Sequence, residues 1–172
     1  MPAYHSKFKD FDWDTPYGVA MLPLKPDLKE EEDIVDEALL AFRVNIYFQN
    51  YDIKSSADRT LVYLTVLIQK WLSILKEINE DEEKARKGLS AFCHEPIPAV
   101  TSSEFFMKKA GLISLEAGKA GKGEELSKYF KELRKVLVER LLNILYNPEW
   151  GTLDLKYWLA LHKKKFLKME WD

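Results

Sequence analysis

Leu61-Val62-Tyr63-Leu64-Thr65-Val66-Leu67-Ile68-Gln69-Lys70-Trp71-Leu72-Ser73-Ile74-Leu75 is the stretch on which the fold class turns. Wound as an α-helix it is apolar on nearly every face, and a helix of that kind is surrounded by other helices. Gln69 and Lys70 interrupt it well short of the roughly 20 apolar residues that a bilayer requires, so it reads as a core segment and not a membrane span. Just upstream, Ser55-Ser56-Ala57-Asp58 has the form of a capping box, in which serine and carboxylate answer orphan backbone donors at the helix start.

Periodicity carries the helical reading outward in both directions. Ile34, Ala38, Phe42 and Ile46 recur every four residues from Asp33, with Val35 and Leu39 in the adjacent stripe, and Asn50 to Lys54 breaks the pattern. Downstream, Glu80-Asp81-Glu82-Glu83 followed by Lys84, Arg86 and Lys87 predicts a short exposed helix whose acids precede its bases, the order the macrodipole favours, with Gly88 as its end. Cys93-His94-Glu95-Pro96-Ile97-Pro98 reads as loop, because two prolines remove donors and fix backbone angles. Phe105, Phe106 and Met107 dock a short helix or strand, and Gly118, Gly121 and Gly123 mark a flexible surface connector.

Leu126, Phe130, Leu133, Leu137, Leu141 and Leu145 keep spacings of three and four, predicting a long helix with Lys128, Lys131, Arg134 and Lys135 mostly opposite. Asn147-Pro148 stops it. A last helix around Leu155 to Lys168 presents Trp158, Leu159, Leu161, Phe166 and Leu167. Residues 1–32, with Pro2, Pro16, Pro23 and Pro26 and no sustained period, form an extended arm that must find a surface, either its own bundle or a partner. The expectation is therefore one all-α domain over 1–172: an arm over 1–32 and a compact helical bundle over 33–172 around a central buried helix.

Bulk properties narrow the function. A chain of 172 residues, 47% hydrophobic and 31% charged, can bury a core without metals or disulfides. The single cysteine, Cys93, and the absence of any Asn-x-Ser/Thr acceptor fit a reducing cytoplasm, and the N-terminus lacks an apolar core of signal-peptide length. Net charge is −2 and the pI about 6, which argues against general nucleic-acid affinity.

Three constellations bear on chemistry. Cys93-His94 offers a thiolate and a base, but sequence neighbours in a proline-rich loop rarely face one another and no third group orients them. His5, His94, His162 and Cys93 follow no metal-ligand spacing. Gly118 and Gly123 have the gap of a nucleotide loop, yet Glu124 and Glu125 stand where lysine and serine or threonine are needed. Catalytic, cofactor and metal sites are all expected to be absent. Tyr47, Tyr51, Tyr63, Trp71 and Trp158 read as core packing. Lys163, Lys164, Lys165 and Lys168, beside Tyr157, Trp158, Phe166 and Trp171, form the one charged cluster with a plausible partner, a broad acidic protein surface, weighed against a solvated helix face.

Met1-Pro2-Ala3-Tyr4-His5-Ser6 resembles the start of the subunit 3 family of the actin-related protein 2/3 complex, and Met21-Leu22-Pro23-Leu24 is similar to its next landmark. Asp33 to Ala38, Phe48-Gln49-Asn50-Tyr51-Asp52-Ile53-Lys54 and Ala57-Asp58-Arg59-Thr60-Leu61 match that family in order and spacing. Pro96-Ile97-Pro98, Glu125-Leu126, Leu133-Arg134, Asn147-Pro148, Trp158 and Lys165-Phe166 extend the likeness more loosely, and the chain departs from it between about Ile78 and Phe92 and across Glu104 to Gly123. The resemblance implies a non-catalytic, all-α subunit of a seven-protein complex, packed mainly against the actin-related protein 3 subunit. That complex binds the side of a mother actin filament and starts a branch. It also implies a cytoplasmic location, no cofactor, no nucleic acid and no membrane insertion, and it makes Tyr4, His5, Lys163, Lys164, Lys165 and Lys168 the candidate partner contacts.

Overall fold

The computed structural model describes residues 2–10, 12–24, 32–78, 81–118, 122–146, 151–164 and 166. Six α-helices follow in order among them: α1 Ile34–Asn45, α2 Ser56–Glu77, α3 Glu82–Cys93, α4 Phe106–Lys109, α5 Lys122–Leu145 and α6 Gly151–Ala160. Short 3₁₀ turns cover Lys7–Asp10, Pro16–Gly18 and Leu161–Lys163. The described residues form no strand, only one isolated antiparallel bridge between Asp14 and Met21. The all-α expectation holds.

The apolar run lies on α2, where Leu61, Leu64, Leu67, Ile68, Trp71, Leu72 and Leu75 are all buried to the last few square ångströms. Burial on so many faces requires neighbours on so many sides, and α2 touches α1, α3, α5 and α6. Its Tyr63 ring stacks on Phe130 of α5 at 4.1 Å and on Phe106 of α4 at 5.8 Å. Large rings placed in this offset manner add about 0.5–1.5 kcal/mol per pair beyond burial alone.

Capping differs from the expectation in one informative respect. Ser55 does cap α2, its hydroxyl accepting from Asp58 N at 3.4 Å. Asp58 does not return the bond to Ser55; it accepts from Lys54 N at 3.0 Å and faces inward. The full reciprocal box stands instead at α1, where Asp33 accepts from Val35 N and Asp36 N and Asp36 accepts from Asp33 N.

Several boundaries move because tertiary contacts outweigh local signals. Gly88 does not end α3, which continues to Cys93 since Leu89 and Phe92 of its next turn are buried, Phe92 edge-on to Trp71 at 6.1 Å. That helix has a core face as well as the solvated one carrying the Glu82–Arg86 and Glu83–Lys87 pairs. Cys93 is accordingly the last helical residue and His94 the cap, so the loop starts one step later than expected. Gly123 lies in the first turn of α5 and Gly118 sits under the Tyr17 ring, whose atoms would collide with any added Cβ; Gly118 packs and is not merely a connector. Gly121, Asn147 and Pro148 fall outside the described residues. The last helix stops at Ala160 and tightens into the 3₁₀ turn, where Gln69 of α2 donates to the His162 carbonyl at 2.9 Å.

Candidate functional site

Two places collect the residues singled out from sequence. The first is the seat of the N-terminal segment. Tyr4 N donates to Asn45 Oδ1 at 2.8 Å, Asn45 Nδ2 donates back to Tyr4 O at 3.0 Å, and the Tyr51 hydroxyl donates to the same carbonyl at 2.7 Å. The Tyr4 hydroxyl and Lys7 N both donate to Glu37 Oε2, at 3.0 and 2.9 Å. His5 Nδ1 lies 2.7 Å from Asp58 Oδ2 and Ser6 N donates to Asp58 Oδ1 at 2.7 Å, while the His5 ring stacks on Tyr51 at 4.7 Å.

Glu37, Asn45 and Asp58 are buried polar residues at helical positions that would otherwise belong to the core. Polar groups this deep are tolerated when each is hydrogen-bonded. Glu37 Oε2, Asn45 and Asp58 take most of their hydrogen bonds from residues 4–7, so the helices and the segment stabilise one another, while Glu37 Oε1 finds no partner among the described residues. Burial, with Glu37 next to it, pushes the Tyr4 hydroxyl up to about 12; burial, with Asp58 adjoining, also raises that of Tyr51. Both therefore remain neutral donors over the physiological range.

Residues 17–22 attach in the same manner. Arg59 donates to Gly18 O at 3.0 Å, Thr60 to Ala20 O at 2.6 Å, and the Tyr129 hydroxyl both donates to Leu22 O at 2.7 Å and accepts from Leu22 N at 3.0 Å. Val19, Ala20 and Leu22 enter the core between these bonds. Arg59, Thr60 and Tyr129 were missed as anchors in the sequence. Each lies on a helix whose period explains it without reference to the distant strap.

The second place is the basic end. Lys163 closes the 3₁₀ turn and Lys164 is extended, both exposed, with Lys164 Nζ 5.1 Å above the Tyr47 ring. Tyr47 itself is 54% exposed and so is not core, contrary to expectation, because α1 ends before it and turns away. Lys165 and Lys168 lie outside the described residues, as do Leu167 and Trp171. Tyr4 and His5 sit on the N-terminal seat, apart in sequence from Lys163 and Lys164, and Tyr51 of that seat meets Phe166 edge-on at 5.5 Å.

Cys93 and His94 do not form a reactive pair. The Cys93 thiol is buried, points its hydrogen bond at the Arg134 carbonyl at 3.6 Å, and is raised in pKa by burial against the opposing pull of Arg134 and Lys135; His94 is exposed. A raised thiol holds little thiolate at neutral pH, the opposite of what a nucleophile needs. Arg134, expected on the solvent face, is buried: its Nε donates to the Tyr63 hydroxyl at 3.2 Å and its guanidinium lies 5.0 Å over Phe92. Among the described residues no group of three or more His, Cys, Asp or Glu side chains could hold a metal, and no helix is long and apolar enough to cross a membrane.

Such an arrangement defines a class: an all-helical protein whose buried polar groups fasten its own N-terminal segment against an aromatic-rich core. The chain belongs to the P21-Arc family, described as the ARPC3 (21 kDa) subunit of the ARP2/3 complex, whose model matches residues 1–170. It is 35% identical to the actin-related protein 2/3 complex subunit 3 of Arabidopsis thaliana over 96% of this chain and 97% of that one. The Schizosaccharomyces pombe subunit 3 is 32% identical over 97% and 98%, and that of Dictyostelium discoideum 32% over 95% and 97%.

Proposed function

We propose that this chain is a non-catalytic structural subunit of the actin-related protein 2/3 complex, which starts branched actin filaments from the side of a mother filament. The observation that carries this reading is the family match over residues 1–170, which covers the divergent segments as well as the shared ones. A buried, protonated Cys93 and a core polar network given over to seating the N-terminal segment support a role in holding neighbours and not in turnover.

In this reading the chain acts as one domain in the cytoplasmic actin cytoskeleton, with the actin-related protein 3 subunit as main neighbour among six companions and the filament reached through the complex. Lys163, Lys164, Lys165 and Lys168 supply long-range attraction to an acidic actin-like surface. Tyr4, 37% exposed, adds aromatic contact area, and His5 keeps that segment in place from beneath. Affinity purification of the tagged full chain tests the proposal: two actin-like proteins and the remaining subunits should co-elute, and the eluate should branch filaments under fluorescence microscopy. Recovery of the chain free of actin-like partners sinks it.

A further inference from the structure

Beside α1 a groove of about 460 Å³ opens between α1, α5 and α6, floored by Leu39, Ile144 and Trp158 and lipped by Leu40. Leu40 is 67% exposed, an unusual placement for a leucine on a helix whose Ile34, Val35, Ala38, Leu39, Ala41 and Phe42 are buried. Arg43 follows it at a spacing of three on the same helix face, and Tyr47 beyond the helix end and Tyr157 of α6 stand exposed. The Arg43 guanidinium lies 5.0 Å from the Tyr157 and Trp158 rings alike, which holds it flat along the groove edge. Trp158 is buried beneath the groove, and its indole N–H has no acceptor among the described residues.

The two ends carry opposite charge. Glu32 and Asp36 line one end, where Arg140 already pairs with Asp36 at 3.2 Å and half-exposed Glu32 is the acid facing water, and Arg43, with exposed Lys164 over Tyr47, marks the other. Asp36 and Arg43 are seven residues apart, about 10 Å along a helix axis, or two turns. The only described partner of Glu32 is Lys7, in an ion pair with both side chains half in water, of the kind worth under about 1 kcal/mol and readily exchanged.

We propose that this groove receives an amphipathic helix of a partner subunit, seated by apolar side chains one turn apart over Leu40, with a Lys or Arg toward Glu32 and an Asp or Glu toward Arg43 and Lys164. The polarity makes insertion one-way, since the reversed helix sets like charges against each other at both ends. This rests on the reading that the chain works inside an assembly, and adds the chemistry of one contact to it.

The test places a photoactivatable benzoyl-phenylalanine at Leu40 of the tagged full chain, irradiates the assembly and sequences the crosslinked peptides. The expected crosslink falls on an apolar residue of another subunit, with a basic residue within about two turns on one side and an acidic one on the other. Leu40→Asp should weaken retention of that subunit roughly tenfold while leaving the melting temperature of the isolated chain within about 2 °C. Crosslinks to a second copy of this chain, to its own residues or to a segment of single charge sign overturn the proposal, as does silence from an otherwise complete assembly. If no actin-like partner is recovered at all, the structural-subunit reading fails and the groove proposal falls with it.

Discussion

Replacing Asp58 with alanine puts the seating of the N-terminal segment to a direct test. Asp58 is fully buried and accepts three hydrogen bonds, from His5 Nδ1, Ser6 N and Lys54 N at 2.7, 2.7 and 3.0 Å. Hydrogen bonds to a charged acceptor contribute about 1.5–3 kcal/mol each, and stripping one partner from a buried pair costs about 3–5 kcal/mol because the other is left without a mate. The three bonds share one carboxylate and cannot be summed, so about 3–5 kcal/mol is the expected total. For a chain of this size that lowers the melting temperature by roughly 6–20 °C. Urea titration of Asp58→Ala should show the fall in midpoint, and hydrogen exchange should show residues 4–7 losing protection before α2 does. His5→Ala in the same background should cost little more, since its partner has already gone. A loss under about 1 kcal/mol, or unchanged protection over residues 4–7, would refute the claim that Asp58 fastens the segment.

Leu67→Ala, at a site with no exposed surface, should cost about 2–5 kcal/mol in urea titration. Burial pushes the Tyr63 hydroxyl up to about 12, so the native state holds this proton more tightly than the unfolded chain, whose value is near 10. Its contribution is thus complete below about pH 10 and is lost as pH rises from 10 toward 12; tyrosinate absorbance should therefore rise together with unfolding, and a smooth non-cooperative titration would contradict the burial. Cys93 should react with a disulfide reagent at pH 8 far more slowly in the native chain than in urea, and Cys93→Ser should leave filament branching unchanged. Reversing Lys163, Lys164 and Lys165 to glutamate should weaken assembly or filament attachment in a salt-dependent way with little change in melting temperature; equal assembly at low salt would mark them as solvated only.

Sequence reading alone established the helical class, the central position of residues 61–75 and the long helix ending at Leu145, because apolar periodicity is a local property that survives averaging over neighbours. What sequence could not assign was the partner of each polar residue. Asp58 reads as the closing half of a cap until residues 5 and 6, more than fifty positions away, are placed beside it. Arg134 reads as a surface cation until Tyr63 and Phe92 surround it, and Tyr47 as core until the chain turns it outward. Only the tertiary structure decides such cases, since whether a polar side chain is buried depends on which distant donors arrive to satisfy it, and helical period carries no record of them.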